Sequence, residues 1–167
     1  MTRPGRTLSG LALLLTLSWS ASLWLPAVLV YAPSASLPKG WYVRAFPART
    51  ITVGDLVVLE MPASMAAYVP LDVPHSRLLK HVAALGGDTV CWERDAMVSS
   101  TPQGTVRYPL RPDMPTTAHP AGCHTLEAES MVIVGTHPRS FDSRYVGAVP
   151  VRLVRFRVVP LWTWRTA

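Results

Sequence analysis

Cysteine is nearly absent from this chain. Among 167 residues only Cys91 and Cys123 occur, and neither belongs to a C-x-x-C pair. A structural zinc site needs more ligands at set spacings, which argues against a metal-built fold. Asp55, Asp88 and Asp142 form no metal-ligand pattern, and Gly86-Gly87 is too short to cradle a phosphate. Neither a metal nor a cofactor is expected. One disulfide stays open to the two cysteines if the domain lies outside the cytoplasm, and spacing alone does not decide it, because pairing depends on Cα geometry.

Acidic residues are also few. The 10 Asp+Glu stand against 16 Lys+Arg, for a formal charge of +6. Such a balance favours anionic lipid or nucleic acid. The basic residues are scattered, however, with no run and no recognition signature, so nucleic acid is not an expected partner. Long helices are disfavoured beyond the first segment, because 16 prolines and 10 glycines are spread over the whole length. Strands joined by turns fit that composition better.

Charge is missing altogether from residues 8–31, after a short basic segment, 1–7, that carries Arg3 and Arg6. That run of about 24 residues exceeds the roughly 20 needed to cross a bilayer core as a helix. Trp24 and Tyr31 fall towards its far end, where such rings prefer the interface, and Pro26 kinks or ends a helix there. A cleaved secretory signal ending at Val30-Tyr31-Ala32 is the alternative. Signal cores are usually shorter, about 7–15 residues, so a retained single-pass anchor is favoured. Either reading puts residues 32–167 across the cytoplasmic (inner) membrane, on its outer face, with lipid as a partner.

The remaining chain alternates like strands at 40–47, 56–61, 77–85, 89–93, 130–136 and 149–159, the last being the best alternating stretch. Residues 61–74 read as a loop and 99–122 as a long hairpin excursion or insertion. The expected fold is mainly β, a partly open barrel or coiled sheet, with one N-terminal transmembrane helix. Trp162 and Trp164 follow the last strand; core packing and the membrane interface are both open to them.

Chemistry centres on Ser34 and Ser36, held in the proline-flanked stretch Pro33-Ser34-Ala35-Ser36-Leu37-Pro38 just after the apolar run. A serine hydroxyl needs a base to take its proton. Lysine, ordinarily near 10.4, can serve only if desolvated. In a strand over 77–85, Leu78, Lys80 and Val82 project to one face, giving Lys80 two aliphatic neighbours. A lysine snorkelling from a sheet edge is the plainer alternative. Five histidines leave room for a Ser–His–Asp triad, but no Gly-x-Ser-x-Gly elbow surrounds any serine.

Three boxes occur in order: Ser34-Ala35-Ser36-Leu37-Pro38, then Leu79-Lys80-His81-Val82-Ala83-Ala84-Leu85-Gly86-Gly87-Asp88, then Ser140-Phe141-Asp142-Ser143-Arg144-Tyr145-Val146-Gly147. Behind an N-terminal apolar run, this set resembles the type I signal peptidases, the Ser–Lys membrane peptidases. Ser-Leu-Pro-Lys-Gly-Trp-Tyr at 36–42, and Gly122-Cys123 ahead of the third box, resemble the TraF-type conjugal transfer branch. The resemblance implies a signal-peptidase-like coiled sheet, Ser36 as nucleophile and Lys80 as general base. It implies an oxyanion site from the Ser34 hydroxyl and the Ser36 N–H, with Ser140 orienting the lysine. Asp142 and Arg144 match a supporting ion pair, although on a strand they would be a solvated pair two residues apart. Two departures stand out: Gly135-Thr136-His137-Pro138-Arg139 replaces the family's Gly-Asp-Asn-Arg, and Gly86 replaces a proline. The implied partner is an exported precursor protein, pilin-like or from a conjugal transfer or secretion apparatus. A non-catalytic anchored β-domain that binds an assembly partner is the alternative from another class.

Overall fold

The computed structural model describes residues 10, 13–20, 28–34, 36–46, 50–66, 77–114 and 121–164. In chain order the strands are β1 (Leu29–Ala32), β2 (Lys39–Arg44), β3 (Leu56–Glu60), β4 (Arg77–Leu85), β5 (Thr89–Trp92), β6 (Ala96–Thr101), β7 (Gly104–Pro109), β8 (Gly122–Thr125), β9 (Ser130–Val134), β10 (Val149–Pro150) and β11 (Val154–Trp164). Two single-turn helices, α1 (Ala63–Ala66) and α2 (Ser143–Val146), interrupt them. The strands form a seven-stranded sheet ordered β1-β2-β11-β3-β4-β9-β10 and a four-stranded sheet ordered β7-β6-β5-β8. Every pairing is antiparallel, as short loops rich in turn residues favour.

Alternation along the strands divides the apolar residues between two faces of the larger sheet. Val57, Leu59, Val82, Met131 and Ile133 are buried on one side with Met65 of α1. Ala32, Tyr42, Val58 and Val158 are buried on the other, near β1 and β2. A third cluster, with Ala83, Ala84, Val90, Trp92 and Met97, joins the two sheets. Each fully buried Val or Met side chain contributes roughly 1.5–3 kcal/mol. The register of β4 against β9 shifts between Val82 and Ala84. Such a shift bends a strand, and it lets neighbouring Ala83 and Ala84 both join the third cluster.

Several expectations need correction. Leu29, Val30 and Tyr31, assigned above to the apolar span, belong to β1 and pair with Val43, Tyr42 and Trp41 of β2. Local hydropathy cannot tell an apolar strand from an apolar helix. Residues 13–20 are helical and exposed. Among the described residues no helix is long and apolar enough to cross a membrane, and 11 of the 24 residues of the expected span (8, 9, 11, 12 and 21–27) lie outside them. The strand expected at 149–159 is β10, a 3-10 turn at Val151–Leu153, and then β11, which continues past Pro160 to Trp164. Its register against β2 shifts between Pro160 and Trp162, the kind of irregularity at which proline is tolerated in a sheet. Gly40 faces that shift with φ +144; a Cβ there would meet the Trp162 carbonyl and lie 2.7 Å from Thr163 Cα. Residues 99–101 are part of β6, and the 99–122 excursion contributes strand β7 to a second sheet. Loop 61–74 contains α1.

Trp162 (71% exposed) and Trp164 (42%) do not pack in a core. They share one face with Trp41, Lys39 and Tyr31, since Trp162 pairs with Trp41, Trp164 with Lys39 and Tyr31 with Trp41. The Tyr31 and Trp41 rings lie 5.1 Å apart.

Candidate active site

Lys80 sits mid-strand in β4, opposite Val57 of β3. Its strand alternation sends it with Leu78 and Val82 towards the apolar cluster around Val57 and Leu59. The side chain is only 3% exposed, so it does not snorkel. Burial lowers its pKa from 10.5 to about 8; Asp142 opposes this by attraction and Arg144 adds to it by repulsion. Lys80 Nζ donates to Ser140 Oγ at 2.6 Å, which fixes the amine's direction.

Ser140 is held from both sides. Its N–H donates to the His137 carbonyl at 3.0 Å, and its carbonyl accepts from Arg144 Nη2 at 3.1 Å. Asp142 and Arg144 are buried, not a solvated strand pair as the spacing suggested. Arg144 Nε and Nη2 each donate to Asp142 at 2.8 Å, a fork-to-fork pair. Asp142 is the N-cap of α2, accepting from Arg144 N at 3.2 Å, and it also accepts from Gly135 N at 2.8 Å. That carboxylate therefore ties the end of β9 to the segment carrying Ser140.

Ser36 lies in the turn between β1 and β2, anchored by buried Leu37 and by the Tyr42 hydroxyl donating to the Pro38 carbonyl at 2.6 Å. The Ser36 carbonyl accepts from Thr136 N at 2.8 Å and His137 N at 3.3 Å. These donors belong to the stretch that departs from the expected Gly-Asp-Asn-Arg, and spacing alone did not reveal them. Gly135 is the close point: a Cβ there would strike the Ser140 side chain and stand 2.6 Å from the Ser36 carbonyl oxygen. Only glycine lets the two segments approach this closely.

Ser34, Ser36 and Lys80 line one groove of about 570 Å³, walled by Leu78, Leu79, Val58, Phe141 and Phe156. The histidines lie elsewhere. His81 is on the opposite face of β4, with Nδ1 3.5 Å from the Gly54 carbonyl. His124 Nε2 is 3.0 Å from the Ala121 carbonyl, and His137 Nδ1 accepts from Arg139 N at 3.1 Å. His75 and His119 are outside the described residues. Cys91 and Cys123 are register partners on β5 and β8, and they are bonded to each other.

A peptide-sized groove with serine hydroxyls and a desolvated amine supports acyl transfer, the chemistry of a serine peptidase. Residues 6–162 match the family described as "Signal peptidase, peptidase S26", and the chain belongs to that family. Its members are serine endopeptidases that act on precursor proteins. No curated protein matches the chain. The solved structures similar to it include a signal peptidase I from Enterococcus faecalis V583, at 19% identity, covering 68% of this chain and 100% of that one, with a TM-score of 0.41.

Proposed function

We propose that the protein is a membrane-anchored serine endopeptidase in which Ser36 attacks the scissile carbonyl and Lys80 takes its proton. The observation that carries this is the burial and orientation of Lys80 in the groove that Ser34 and Ser36 also line. A neutral amine with a pKa near 8 is available at mildly alkaline pH, and Ser140 accepts one of its hydrogens. Ser36 Oγ adds to the carbonyl carbon while its proton passes to Lys80. The Ser34 hydroxyl and the Ser36 N–H stabilise the oxyanion, a contribution of about 3–4 kcal/mol per such donor. Collapse expels the amine of the following residue, protonated by Lys80, and leaves an acyl ester on Ser36. Water, deprotonated by Lys80, then releases the acyl chain.

The substrate is an exported precursor at the outer, periplasmic face of the inner membrane. This chain's own TraF-like sequence features favour a pilin or another conjugal transfer or secretion component as that precursor. An amine in place of water in the second step would join chain ends. The exposed face of Tyr31, Trp41, Trp162 and Trp164, next to the apolar N-terminal run, suits contact with the lipid interface. The Cys91–Cys123 bond suits an oxidising compartment.

The test is precursor processing in membranes by wild type, Ser36→Ala and Lys80→Ala, with folding checked separately. Both variants should be folded and inactive. Processing retained in either sinks the Ser–Lys assignment. A folded wild type that processes no precursor supports a non-catalytic anchored β-domain instead.

A further inference from the structure

A second cavity, of about 660 Å³, lies on the far side of the segment that carries Ser36. Its walls include Val82, Val106 and Val134, with polar His81, Tyr108 and Thr136. Thr136 N is the group that donates to the Ser36 carbonyl at 2.8 Å, so the cavity and the groove stand back to back across one hydrogen bond. Lys80, in the groove, and Val82, in the cavity, are two apart on one face of β4. That step is about 7 Å, so an extended chain passes from one recess to the other within two or three residues.

Resting on the peptidase reading above, we infer that this cavity receives the part of the substrate that follows the scissile bond. The acyl half becomes bonded to Ser36 Oγ, so it belongs in the groove that Ser36 lines. The half that leaves as a free amine needs a separate recess on the other side of the nucleophile. The volume lies within the range of a pocket that holds a side chain and its flanking backbone. Aliphatic walls select an apolar side chain. β7 is an outer strand of the smaller sheet, so its free edge can pair with an extended chain.

The test uses two synthetic peptides with the same residues before the cut, alanine being the last of them. One ends a single residue after the cut; the other continues for six residues, with leucine and valine nearest the cut. The full chain in detergent is compared with Val106→Trp, which narrows the cavity from half-exposed β7, and with Val106→Ala, which widens it. Wild type should cleave the long peptide with kcat/KM at least about tenfold above the short one. Val106→Trp should remove that advantage through KM while changing the short peptide less than about twofold, and Val106→Ala should reduce it partly. The inference is overturned if wild type does not discriminate, if Val106→Trp keeps the advantage, or if Val106→Ala weakens both peptides alike. Cleavage of neither peptide by folded wild type would overturn the peptidase reading, and this inference with it.

Discussion

Replacing Lys80 by methionine should abolish activity and make the protein more stable at neutral pH. The fold lowers the lysine pKa from 10.5 to about 8, so it disfavours the charged amine by about 3 kcal/mol. Methionine has a similar length and no charge to desolvate. The substitution also leaves Ser140 Oγ without its donor, a loss of about 1 kcal/mol. The net expectation is a gain of about 2 kcal/mol at pH 7. The pH dependence follows from which state binds more protons. Below pH 8 the lysine is charged folded and unfolded, so the penalty is fully present. Between pH 8 and 10.5 the unfolded chain binds the extra proton, so wild-type stability rises with pH and the penalty disappears. Denaturant unfolding of the full chain in detergent, followed by tryptophan fluorescence at pH 7 and pH 10, measures both variants. Other titrating groups cancel in the difference. The advantage of Lys80→Met should shrink by about 2 kcal/mol or more between the two pH values. A variant less stable than wild type at pH 7, or a difference independent of pH, would refute the desolvation argument.

Further outcomes follow from the same geometry. In steady-state assays kcat/KM should rise through a pKa of about 8 and level off above it, as expected of the neutral amine proposed as the base; below it, activity should fall about tenfold per pH unit. Ser140→Ala removes the acceptor that directs Lys80 and should lower kcat by about tenfold to a hundredfold, with KM little changed, in the same assay. Gly135→Ala forces apart the Ser36 carbonyl and Ser140; a comparable kcat loss is expected, with a melting temperature below wild type. Asp142→Asn strands the buried Arg144 charge and should cost about 3–5 kcal/mol in chemical denaturation, whereas a surface pair such as Arg111–Asp113 should cost under about 1 kcal/mol when broken.

How much of this could be read from the chain differs residue by residue. The direction of Lys80 was legible because a strand alternates, and Leu78 and Val82 declared which face was apolar. Its partner Ser140 is 60 residues away and was suggested by resemblance, since periodicity carries no information across that distance. The same limit hid the Thr136 and His137 donors to Ser36, about 100 residues along the chain. Asp142 and Arg144 looked solvated because an i,i+2 spacing says nothing about burial; capping of a single helical turn drew both inside. Leu29–Tyr31 joined the apolar run in hydropathy yet pair with β2, because hydrogen-bonding partners are tertiary information. Pro160 marked an end for β11 by local rules, and a register shift opposite Gly40 let the strand continue. The second sheet was missed for a related reason: its strands are short and its outer ones largely exposed, so their apolar signal is weak.

The central claim is that a desolvated Lys80 makes Ser36 a nucleophile, and the acyl-enzyme tests it most directly. The full chain would be incubated with a peptide ester, quenched in acid and analysed by intact and peptide mass spectrometry. The account predicts one acyl group on Ser36, absent from Ser36→Ala and from Lys80→Met. An acyl group on another residue, or peptide cleavage with an unmodified Ser36 that persists in Lys80→Met, would contradict it.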